Sequence, residues 1–173
     1  LGLIAAGVLA SLLFVLVERR AVEPVLPLRL FRERTFSVAM AAGPVTGAAM
    51  YVVTVYMPIY AQQVVGWSAT GSGVALIPYM LAWIGASVAI GKLVTRTGRY
   101  KRYPLLGAIV LTVGFFLLSR LGPDAGQLET VLVMVVAGLG MGPLFQTYTV
   151  ASQNAVPIGD IGAATAALSF FRS

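Results

Sequence analysis

The sequence predicts an all-α fold, a polytopic bundle of transmembrane helices, on three observations. Four apolar stretches with no charge in their middles run from Phe36 to Gln62, Gly71 to Ile90, Pro104 to Ser119 and Val131 to Val150. A hydrocarbon core about 30 Å thick takes roughly 20 helical residues to cross, at about 1.5 Å each. Charged residues make up 10% of the chain and hydrophobic ones 58%, whereas a soluble domain carries about 25% charged residues. The charges that remain gather in the short connectors between the apolar runs.

The ends follow the same pattern. Residues 1–17 read as the end of a transmembrane helix, stopped by Glu18, Arg19 and Arg20. This run lacks the basic start and small-residue cleavage site of a signal peptide. Residues 18–36 read as a basic connector, and 37–173 as four complete spans plus the start of a fifth from Ile161. Both boundaries cut a helix, so a fragment of a longer polytopic protein is expected. The chain has no Cys and no His, which removes disulfides, thiolate metal sites and the commonest metal ligand. No cofactor and no metal are expected.

A sequence pI of about 10.1 would suit a nucleic-acid partner, but the placement of the charges points to a bilayer instead. Arg19, Arg20, Arg29, Arg32 and Arg34 lie in the first connector, and Lys92, Arg96, Arg99, Lys101 and Arg102 in the one after the second span. The intervening loop from Gln63 to Thr70 has no charge, and the loop after the third span has Arg120, Asp124 and Glu129. Basic loops stay cytoplasmic. Connectors 18–36 and 91–103 should therefore face the cytoplasm, with Gln63–Thr70 and Gly122–Leu128 outside. The Ala151–Asp160 loop should return inside, its single Asp160 neither helping nor opposing.

Most of these basic residues are explained by topology alone. The second basic loop has more structure than charge. Gly91, Arg96, Gly98, Arg99, Lys101 and Arg102 are spaced as in the loop signature of the major facilitator superfamily, which the segment resembles; Thr95 stands where that pattern has Asp. A short turn between helices explains the residue types: Gly91 permits close approach, Gly98 a positive φ, and the arginines can bond exposed helix-end carbonyls. The Arg20–Phe36 connector with Pro24 and Pro27, the Gly138–Pro143 run, and the Gly162–Arg172 segment are similar to the 14-helix drug:proton antiporters of that superfamily. The resemblance implies that the chain is a C-terminal-half fragment holding the end of helix 8, helices 9 to 12 and the start of helix 13. It also implies a cell-membrane transporter with protons as coupling ion, its coupling acids lying in the N-terminal half.

Within the spans, small residues mark packing faces. Ala39, Gly43 and Gly47 recur every four residues on the first span, and Gly138 and Gly142 share a face on the fourth; such stripes let another helix approach closely. Pro44, Pro58 and Pro143 should bend their helices. Gly138, Gly140 and Gly142 lack the strand–turn–helix context of a nucleotide-binding turn. The third span, apolar apart from Thr112 and its glycines, reads as a lipid-facing or scaffold helix. Tyr56 and Tyr60 suit an outer interfacial belt.

Four residues are candidates for a substrate cavity. Tyr79 and Trp83 share a face at i, i+4, and Trp83 falls near mid-bilayer, away from the headgroups Trp usually prefers. It either packs in the bundle or lines a cavity, and aromatic faces hold lipophilic cations without a fixed hydrogen-bond pattern. Gln146 is a polar amide inside a span, costly unless paired or wet. Arg172 lies roughly 15 Å past the inner boundary for a helix starting at Gly162. A guanidinium at that depth faces the bundle, a partner carboxylate or water, and no Asp or Glu in the spans is there to pair with it.

Two functions of different class follow. One is a secondary active transporter, proton-coupled and exporting a lipophilic or cationic small molecule by alternating access; a siderophore, peptide or lipid substrate is the variant of this reading. The other is a non-transporting membrane scaffold whose small-residue stripes serve helix association alone. An enzyme is not expected, since no paired carboxylates and no nucleophile–base set exist.

Overall fold

The computed structural model describes residues 28–98 and 102–173, with Gly2 and Leu9. The helix end expected over 1–17, apart from those two residues, and Arg19, Arg20, Arg99 and Lys101 lie outside the described residues. The fold is all-α. Among the described residues, five helices follow a 3-10 turn at Leu28–Arg32, and a second 3-10 turn at Ile158–Asp160 leads into the last of them: α1 (Arg34–Gln63), α2 (Ala69–Thr97), α3 (Tyr103–Leu118), α4 (Gln127–Asn154) and α5 (Ile161–Arg172). Helices α1, α2 and α4, of 30, 29 and 28 residues, are long and apolar enough to cross a membrane. Helix α3 is apolar but has 16 residues, about 24 Å of rise. It is shorter than its neighbours because Gly122, Pro123 and Gly126 close the helix early and Pro104 sits in its first turn.

Helix α4 is the axis of the bundle, buried along more than half of its apolar window where α2 is buried along about a tenth. Its glycines explain how two helices reach it. At 100° per residue, Gly138 and Gly142 share one face while Gly140 looks the opposite way. A Cβ on Gly138 would stand 2.6 Å from the Tyr79 carbonyl oxygen of α2, and one on Gly142 would stand 2.5 Å from Ala86 Cβ. On the other face, a Cβ on Gly140 would collide with the Leu111 backbone nitrogen of α3. Helix α3 answers with its own glycines: Gly107 sits against the Gly140 carbonyl and Gly114 against Ala137. Most of these contacts are with backbone, where no side chain can yield. The third span thus packs by its two glycines and leaves Leu105, Ile109 and Phe116 outward.

Helix α1 contacts the bundle in two places. Its N-terminal half packs on α5, with Phe36, Ala39 and Met40 against Ala164, Ala167 and Leu168, and the Leu28–Arg32 turn adds Leu30 to this cluster. Gly43 and Gly47 lie where α5 ends, with Phe171 against the first and the Arg172 carbonyl against the second. Its C-terminal half joins α2 and α4 through Val53, Met57, Tyr79, Met134 and Ala137. Between the halves, Val52–Tyr56 forms a π turn, in which the Met57 N–H reaches back to the Val52 carbonyl. Pro58 follows it directly; a proline ring clashes with the carbonyl four residues before it, and a widened turn relieves that crowding. Pro44, in contrast, is accommodated within α-helix.

Replacing Gly140 by Val should cost the bundle at least about 2 kcal/mol, because overpacking against backbone cannot relax by a rotamer change. Thermal unfolding of the detergent-solubilised full-length protein checks this, and an unchanged midpoint would mean that α3 can shift away freely. Thr147 gives the opposite sign. Its hydroxyl is buried, at 1% exposure, with no hydrogen-bond partner. Thr147→Val should therefore raise stability by about 1 kcal/mol in the same assay.

Candidate functional site

The side chains that meet at mid-depth come from α2, α4 and α5. Trp83 lies edge-on to Phe145 of α4, ring centroids 5.2 Å apart, and Tyr79 lies one turn away at 6.2 Å. The opposite end of this column is Arg172, whose guanidinium carbon stands 3.9 Å from the Phe145 ring centroid. Helix α5 starts at Ile161, one residue earlier than Gly162, so eleven helical steps carry Arg172 about 16 Å from the helix start. Two of its nitrogens are satisfied by α4: Nη2 donates to the Phe145 carbonyl at 3.0 Å and Nη1 to the Thr149 hydroxyl at 3.2 Å. The Thr149 hydroxyl donates to that same carbonyl at 2.8 Å. Arg172 Nε is buried without a partner. Among the described residues, the groups that hold this cation are neutral.

The four cavity candidates are not equivalent in the fold. Tyr79 is buried at 1% exposure inside the α1–α2–α4 cluster, whereas Trp83, Gln146 and Arg172 are half-buried. Gln146 lies across Gly91, where a Cβ would come 3.3 Å from its amide nitrogen. Gln146 thus meets the first residue of the basic loop motif. Ser87 donates to the Gly142 carbonyl at 3.3 Å, tying α2 to α4 between the two contacts. Phe145 is a functional candidate that sequence reasoning misses, because one Phe in an apolar run has no pattern of its own. Its spacing of four from Thr149, at the depth of Arg172, is the only available signal.

At its C-terminal end, α2 stops after Thr97 because Gly98 takes φ 65°, ψ −1°, and its N–H bonds the Val94 carbonyl at 2.8 Å. This left-handed stop suits Gly. Thr95 donates to the Gly91 carbonyl at 2.9 Å, within the helix. Arg96 and Arg102 are exposed on either side of the turn. A pairing that the sequence does not suggest joins two connectors: Arg29 reaches both carboxylate oxygens of Asp160 at 2.9 and 2.8 Å. Arg29 is 68% exposed, so this pair adds at most about 1 kcal/mol. Its significance is geometric, since it brings the first connector and the α4–α5 loop to one end of the bundle. No cluster of three metal-binding side chains exists among the described residues.

Helices of membrane-crossing length, packed backbone to backbone, with aromatic rings and one guanidinium at mid-depth, define a multi-pass membrane protein. The chain belongs to the Major Facilitator Superfamily, whose family model matches residues 1–173. It is 37% identical over 171 residues to an uncharacterised MFS-type transporter of Mycobacterium tuberculosis, covering 99% of this chain and 25% of that protein. It is 35% identical over 173 residues to the multidrug transporter protein MdtP of Bacillus subtilis, covering 100% of this chain and 32% of the relative. A tetracycline resistance determinant of Streptomyces rimosus is 29% identical over 168 residues, covering 96% and 48%. The chain therefore spans less than half the length of these relatives. The family is one of transporters, not of enzymes.

Proposed function

We propose that this chain forms part of a secondary active transporter in the cell membrane that exports lipophilic or cationic small molecules by alternating access, in exchange for protons. The observation that carries the reading is the Trp83–Phe145–Arg172 column at mid-depth. Substrate sites in such folds lie near the bilayer midplane, between repeats that rock against each other. A flat apolar substrate can stack on Trp83 without demanding a fixed hydrogen-bond pattern. Gln146 and Arg172 are the polar groups beside it. The multidrug and tetracycline-resistance names of two relatives support a drug-like cargo. The described spans hold no midplane carboxylate, so the proton-carrying groups belong to the remainder of the transporter.

The scaffold reading loses its basis in the glycines. Gly138, Gly140, Gly142, Gly43 and Gly47 are all occupied by helices of this same chain, and none of these five is left free to recruit another protein. The basic loop, with Gly91, Gly98 and the flanking arginines, is read as a cytoplasmic hinge region. Its link to the site is the Gly91–Gln146 contact.

Trp83→Ala should change the order of preference among several fluorescent substrates by about tenfold for the flattest of them. Dye export from cells making equal amounts of full-length protein measures this; an identical order of preference assigns Trp83 to packing. Orientation has a separate test. In a cysteine-free background, Ser68→Cys should react with an impermeant maleimide in intact cells. Gly159→Cys should react only after permeabilisation, and the reverse pattern would overturn the proposed topology.

A further inference from the structure

Arg172 bears on the charge of the cargo, given a chain that forms part of a transporter as proposed. Among the described residues of the spans, it is the one charge at mid-depth: Arg34, Lys92, Arg96 and Glu129 all lie near helix ends. The acids closest in sequence do not neutralise it. Asp160 sits twelve residues back at the inner end, paired with Arg29. Glu129 lies in the first turn of α4, sixteen residues before Phe145, about 24 Å along the helix. The groups that do hold the guanidinium, the Phe145 carbonyl and the Thr149 hydroxyl, solvate the charge and leave it in place.

We infer that Arg172 is a specificity-determining residue, a fixed positive charge that disfavours cationic cargo and selects neutral or anionic lipophilic compounds. The geometry gives two reasons. The guanidinium already occupies one face of Phe145 at 3.9 Å, so that ring cannot offer the same face to a substrate cation. Phe145 in turn is 5.2 Å from Trp83. Laid end to end, these steps put the guanidinium at most about 9 Å from the Trp83 ring centre. Two unit charges at that separation, at an effective dielectric constant of about 20, disfavour each other by a factor of about twenty. An anion gains what a cation loses. A cation–π contact on Trp83 is worth about a factor of five at exposed sites and about thirty when desolvated, so even a desolvated contact only about balances this repulsion and leaves a cation no advantage over a neutral compound.

The test uses inverted membrane vesicles holding the full-length protein, an imposed proton gradient, and two aromatic dyes of equal size, one neutral and one with a quaternary ammonium. Wild type should move the neutral dye faster. Arg172→Gln should raise the ratio of cationic to neutral transport about tenfold, while Arg172→Lys should keep the wild-type ratio even if both rates fall. Should Arg172→Gln fail to accumulate, Thr149→Asp puts a carboxylate within reach of Nη1 and should raise the ratio in the same way. An unchanged ratio in whichever of these two variants still moves dye overturns the inference and leaves the transport reading standing. Wild-type vesicles that move neither these dyes nor an anionic analogue overturn both.

Discussion

Close approach of helix backbones at the middle of α4 is the constraint that holds this bundle in its arrangement. In hydrocarbon, apolar side chains gain little by leaving lipid for protein, so helices associate where their backbones fit most closely. Gly138, Gly140 and Gly142 create two grooves on opposite faces of one helix, and α2 and α3 fill them. The same spacing puts α2 near enough for Trp83 to reach Phe145 and for Ser87 to reach the Gly142 carbonyl. Bulkier residues at Gly138 or Gly142 would push α2 away from α4, and the rings would part with the helices that carry them.

The second pair of glycines has a parallel effect. Gly43 and Gly47 let α5 come down on α1 at Phe171 and Arg172, and this turns the guanidinium towards α4. Burial of a charge at such depth is expensive unless polar groups accept its protons. Phe145 and Thr149 supply an aromatic face, a carbonyl and a hydroxyl within one helical turn. Packing and electrostatics therefore meet in the same few residues. The segment before α1 is tied in by a different route, with Leu30 and Phe36 in the α1–α5 core and Arg29 on Asp160.

Much of the fold is legible in the chain, for a simple reason. Spanning segments must satisfy every backbone group internally, so apolar length alone marks a helix, and the basic loops mark its ends. The small-residue faces on α1 and α4 are visible as periodicity. Their partners are not, because a stripe of glycines states that something approaches and says nothing of which helix does. The third span shows this: its composition suggests a face turned to lipid, and its two glycines fit α4. The π turn before Pro58 is legible only as an expected bend.

The solvent of this protein, the approximate positions of its apolar helices, and the presence of a cation inside an apolar segment with no carboxylate in the spans can all be read from the chain alone, although four complete spans are expected and three of the described helices reach crossing length. These depend on local transfer energies, which each segment meets independently of the others. Packing settled the rest: that Arg172 rests on Phe145, that Tyr79 is buried while Trp83 stays partly open, and that Arg29 finds Asp160. Each of those contacts joins different elements of the bundle. Their meeting depends on which grooves the helices fill, a property of the packed assembly of helices and not of any one segment.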